Sequence, residues 1–138
     1  MDLSNINYLA VVVATLAAFA LGALWYSPVL FSKVWQKEVG LTDETLKGAN
    51  MAKIFGTCLV LTAVMAFGMA LMLKGHDMGD LGLQIGLIHG LYVGVFFVGM
   101  SMGINYLYQR KSLKLWFIDA GYQIVFLGLQ GLIIGVWR

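Results

Sequence analysis

The hydrophobic positions of this chain come in long unbroken runs, not in alternation and not as a one-sided stripe. Residues 3–32, 54–73 and 81–109 hold no charged side chain, and 115–137 hold one, Asp119. Each run meets the roughly 20 residues that a helix needs to cross about 30 Å of hydrocarbon. Strands of a membrane barrel would be shorter and would alternate in polarity. The pattern predicts an all-α integral membrane four-helix bundle, a single domain over 1–138, with spans at 6–26, 52–73, 81–108 and 115–137. The third run exceeds one crossing, so it is expected to tilt or to project. The connectors after spans two and three are short. They predict antiparallel neighbours for spans two and three, and again for spans three and four.

The one substantial connector has its own periodicity. Ser27 followed by Pro28 reads as an N-cap with proline at the first helical position. Leu30, Phe31, Val34 and Trp35 then share one face, and Lys33, Gln36 and Lys37 the other. This predicts an amphipathic helix over 28–39, lying on the membrane surface and stopped by Gly40. Thr42 is placed to cap a further helical turn from Asp43 to Lys47.

Composition agrees with the runs. Of 138 residues, 60% are hydrophobic and 12% charged, against about 45–50% and 25% in soluble domains. The net charge of +2 sits beside apolar segments and forms no nucleic-acid-binding stripe. Lys33, Lys37, Lys47 and Lys53, with Arg110, Lys111 and Lys114, fall on one side of the four spans; Lys74 and Arg138 fall on the other. Positive loops stay in the cytoplasm, so both termini are expected outside a bacterial inner membrane. No basic stretch precedes the first apolar segment, which therefore reads as a permanent span rather than a signal peptide. Cys58, the single cysteine, lies in an apolar run and reads as packing.

Small residues recur at four-residue spacing. Gly82, Gly86, Gly90 and Gly94 are followed by Gly99 and Gly103. The fourth span carries Gly121, Gly128, Gly131 and Gly135, and the first Ala14, Ala18 and Gly22. Such a ladder strips a helix face to backbone and lets another helix approach closely. It serves either packing inside one bundle or an interface. The third span holds more glycine than one contact within a monomer requires, so a homo-oligomer is expected, with a membrane-protein partner as the other possibility.

Two ionisable side chains lie inside spans, and such residues are default functional candidates. Asp119 falls one turn into the fourth span. Asn105, Tyr26, Ser27 and Lys53 reach the same depth from the other three helices. Together they form either a shallow site for a cation, a proton or a headgroup, or an aspartate paired with Lys53, Lys114 or Arg110 and hydrogen-bonded by Asn105 or Tyr26. Asp119, Gln123 and Gln130 make a polar stripe on the fourth helix. His89 lies about 12 Å into the third span at 1.5 Å per residue. It reads as a hydrogen-bonded packing residue, a proton relay or a haem ligand. A second ligand would have to come from a symmetry mate, because His76, the other histidine, lies in a loop. No nucleophile–base pair, paired carboxylates or metal motif is present, so no enzyme, metal or cofactor is expected.

The segment Trp25-Tyr26-Ser27-Pro28, followed by Phe31, Lys33 and Trp35, resembles a family of small bacterial membrane proteins grouped as a domain of unknown function. Their first span ends in Trp-Tyr-Ser-Pro. The resemblance implies a four-span inner-membrane protein and assigns no activity. From the residues themselves, a small transporter or channel for a proton, ion or small solute is the leading expectation. A structural or accessory subunit that packs through its glycine-rich helices is the alternative.

Overall fold

The computed structural model describes residues 5–76 and 79–137, with the side chain of Asp80 outside the description. Helix α1 spans Tyr8–Trp25, α2 Ser32–Val39, α3 Asp43–Lys47 and α4 Met51–Lys74. A 3-10 turn at Gly79–Leu81 leads into α5, Gly82–Tyr108, and α6 spans Leu113–Val136. Four of these, α1, α4, α5 and α6, are long and apolar enough to cross a membrane. The protein is a multi-pass, all-helical membrane protein.

Short polar side chains start three of the spans. Asn7, Asn50 and Ser112 accept from the backbone N–H groups of Ala10, Lys53 and Leu115. Each fills one of the donors that a helix start leaves without a partner. The surface helix begins later than its sequence suggests. Pro28–Phe31 form a turn in which the Ser27 carbonyl, not its hydroxyl, accepts from Leu30 and Ser32, while Phe31 N–H reaches back to Trp25. The proline thus closes the first span and α2 starts at Ser32. Gly40 stops α2 in the left-handed conformation (φ 76°), which a side chain adopts only with strain. Thr42 and Thr45 form a reciprocal cap on α3.

Helix α6 is the centre of the bundle. Half of its span is buried, against 17% to 28% for the other three, and it touches α1, α2, α4 and α5. Helices α1 and α4 pack together, and Ala10, Ala14 and Ala18 of the one and Ala66 and Ala70 of the other are buried. Helix α5 rests on α6, whereas α4 packs on α1 and α6. Spans two and three are therefore not the packed neighbours that their short connector suggested. Glycine decides the pairing, since α5 has a bare face and α6 has its complement.

That contact is backbone on backbone. A methyl group added to Gly82 would strike the Gly135 carbonyl, one on Gly86 the Gly131 carbonyl, and one on Gly90 the Leu127 carbonyl. The converse holds for Gly131 and Gly135, while Gly94 faces Ile124 and Gly128 faces Leu91. The ladder read as surplus for one chain is fully occupied within it. Residues 93–99 of α5 form a π turn, which takes in one more residue than an α turn. The five-residue step from Gly94 to Gly99 matches that extra residue, so Gly99 and Gly103 return to the face that meets Ile124 and Trp116. The Trp116 indole donates to the Gly99 carbonyl at 2.9 Å.

These contacts predict sharply different effects for different glycines. Gly131→Val should cost about 3 kcal/mol through overpacking against backbone that cannot yield. Gly56 and Gly68 have open space around them. Ala at either should leave stability within about 1 kcal/mol of the parent, on the stabilising side. Thermal unfolding in a mild detergent, read by circular dichroism, measures all three.

Candidate functional site

The site is built where α1 ends, at the end of the bundle bearing α2 and α3. Trp25 closes α1 and donates its indole N–H to the Ile118 carbonyl at 3.0 Å, which pins α1 to α6. Gly121 leaves room for that ring, and Gly22 leaves room for the Tyr122 ring. Tyr122 in turn donates to the Ala18 carbonyl at 3.2 Å. With α1 fixed in this way, Tyr26 projects at the carboxylate of Asp119.

Asp119 is 9% exposed and holds two phenols. The Tyr26 hydroxyl donates to Oδ1 and the Tyr106 hydroxyl to Oδ2, both at 2.7 Å. Among the described residues no cation touches the carboxylate. Lys111 stands over the Tyr106 ring, its ammonium 4.7 Å from the ring centre. The contact is a cation–π interaction. An ionised carboxylate accepts at about four lone-pair sites, so two filled positions leave room for another donor or a cation. Aromatic rings close the surroundings: Tyr26 meets Trp35 edge-on at 5.7 Å and Tyr122 at 5.4 Å.

The residues expected at this layer divide. Tyr26 and Asp119 come together. Asn105 is exposed and takes no part, and its neighbour Tyr106 does the work instead. Counting helical phase from Gly99 gives the reason. Tyr106 is seven residues on and shares the glycine face toward α6, whereas Asn105 points away. That signal was present in the sequence. Lys53 is exposed at the start of α4 and does not pair with Asp119. The cation pairing expected from Lys53, Lys114 or Arg110 is replaced by two neutral donors. Ser27 lies next to the site, with a buried hydroxyl oxygen that has no partner among the described residues.

Farther along α6, Gln130 is fully buried and donates to the Thr62 carbonyl at 3.2 Å, leaving its own carbonyl oxygen buried without a partner. Gln123 is half-buried between these layers. Phe126, seven residues on from Asp119 and four before Gln130, is buried on the same face of the helix. His89 stands elsewhere, near the end of the bundle that bears the termini, and its Nδ1 donates to the Ile85 carbonyl at 2.8 Å. The sequence put His76 out of its reach. The structure brings the two rings to 4.6 Å between centres.

The family model described as a protein of unknown function, DUF1761, matches residues 9–135. The chain belongs to that family. The matched DUF1761 segment contains Tyr26, Tyr106 and Asp119, so the whole phenol–carboxylate site lies inside it. Comparison with curated proteins and with solved structures returned no match.

The geometry predicts strong coupling between the phenols and the carboxylate. A double-mutant cycle of Tyr106→Phe with Asp119→Ala should give a coupling of about 1.5–3 kcal/mol, since hydrogen bonds to charged groups fall in that range. Asn105→Ala should change stability by less than about 0.5 kcal/mol, as exposed positions do. Equilibrium unfolding in detergent measures both.

Proposed function

We propose that this protein moves protons across a bacterial cytoplasmic membrane, with Asp119 as the group that takes and releases them. One observation carries the reading: a carboxylate buried at the end of a membrane bundle with phenols on both oxygens and, among the described residues, no cation in contact with it. Ionisable groups inside membrane spans are costly and are retained chiefly for ion and proton pathways. A counter-ion is the usual relief for a buried charge, and its replacement by neutral donors leaves Asp119 able to change charge without breaking an ion pair. Gln130, with its unpartnered oxygen, provides a second polar station on the same helix. Phe126 falls between the two on the helix, and a proton passed along transient waters needs less room there than a hydrated ion.

The lysine and arginine residues gather at the end bearing α2 and α3, and by the charge rule that end faces the cytoplasm. Asp119 then loads from the cytoplasmic side and both termini lie outside. A second reading, an accessory subunit that binds a partner or another copy of itself, draws on α4. Residues 51–61 are exposed on every side of that helix, a surface on which another helix can pack.

Reconstitution in liposomes with a pH-sensitive dye inside separates the two readings. Under a potassium–valinomycin potential, the parent should pass protons and Asp119→Asn should reduce the flux at least tenfold while remaining assembled. Parent flux no greater than that of protein-free liposomes, or equal flux from Asp119→Asn, would overturn the proton reading. A parent without flux that forms a stable complex lost on substitution of residues 51–61 would favour the accessory reading.

A further inference from the structure

We propose that His76 and His89 together bind a divalent late first-row transition-metal ion, at the end of the bundle opposite Asp119. They are the only two histidines in the chain. His76 follows the last turn of α4, and His89 lies on the second turn of α5. Their ring centres are 4.6 Å apart with planes inclined at 72°. Two imidazoles on one tetrahedral ion, with metal–nitrogen bonds of about 2 Å, have ring centres roughly 5 Å apart. A linear two-histidine site, as monovalent copper favours, would hold the rings farther apart.

The state of the His89 ring supplies a second, independent argument. A backbone carbonyl can only accept, so Nδ1, at 2.8 Å from the Ile85 oxygen, carries the proton. Nε2 is then left with its lone pair. A carbonyl that orients a histidine through its other nitrogen is the usual support for a metal-ligating imidazole. Each histidine needs to offer only one of its two ring nitrogens to the ion. His89 is half-buried and His76 exposed, and no third His, Cys, Asp or Glu among the described residues joins them, which leaves the other coordination positions to ligands from outside the chain. The ligand type and the open positions suit copper(II), nickel(II) or zinc(II), with copper(II) bound most tightly by the general order of affinities.

The test uses the full chain, without a histidine tag, in detergent. Cys58→Ser serves as background, because the exposed thiol of Cys58 would otherwise compete. Copper(II) titration should saturate at one ion per chain, with paramagnetic-resonance hyperfine structure from two nitrogens. His76→Gln and His89→Gln should each weaken binding at least tenfold, and Asp119→Asn should leave it unchanged. His76 is on the surface, so its variant keeps the fold and decides the matter even if His89→Gln does not. Binding that fails to saturate in the parent, or that survives undiminished in His76→Gln, would overturn the assignment.

Discussion

The contact between the bare faces of α5 and α6 organises this protein. Inside a bilayer the hydrophobic effect gives no reason for one apolar helix to prefer another over lipid, so close van der Waals contact has to do so. Gly82, Gly86 and Gly90 meet Gly135, Gly131 and the Leu127 backbone at distances that no side chain could share. This seam seats α6 in the middle of the bundle and sets the rotation of α5. Rotation matters because Tyr106 lies on the same face, two turns beyond Gly99. The seam therefore delivers one of the two phenols to Asp119.

The other phenol arrives by a different device. The indole of Trp25 grips the Ile118 carbonyl, one residue before Asp119, so the last turn of α1 is registered against the turn of α6 that carries the carboxylate. Tyr26 follows at once, and the Ser27–Pro28 turn sends the chain away to α2. The Trp-Tyr-Ser-Pro segment thus does more than mark a helix end. It anchors a helix, offers a donor and redirects the chain in four consecutive residues. The same short stretch also leaves the Ser27 hydroxyl buried beside the site and, among the described residues, unpartnered.

The spans were legible because charge-free runs of crossing length have few other structural meanings. Gly40 and the Thr42 cap were legible for the same reason, since their local chemistry has one reading. What failed was pairing. Loop length suggested α4 beside α5, but connectors say only which ends are near, and the small-residue faces chose α6 instead. Depth alone put Asn105 at the site, whereas helical phase through the π turn selects Tyr106. The five-residue step from Gly94 to Gly99 held that information, but without the π turn it reads as an irregularity. The meeting of His76 and His89 depends on how the connector between α4 and α5 folds, and no periodic pattern encodes that.

The seam must close within one chain for this arrangement of Asp119, Tyr26 and Tyr106 to exist. Magic-angle-spinning carbon NMR in lipid bilayers reads it directly. Glycine Cα carbons are labelled in one sample, glycine carbonyls in another, and both together in a third. Doubly labelled protein diluted into unlabelled protein should show cross-peaks between Gly86 Cα and the Gly131 carbonyl, and between Gly82 Cα and the Gly135 carbonyl. A mixture of the two singly labelled proteins should show none. Cross-peaks in the mixture that vanish on dilution of the doubly labelled sample would put the seam between two chains and contradict the account.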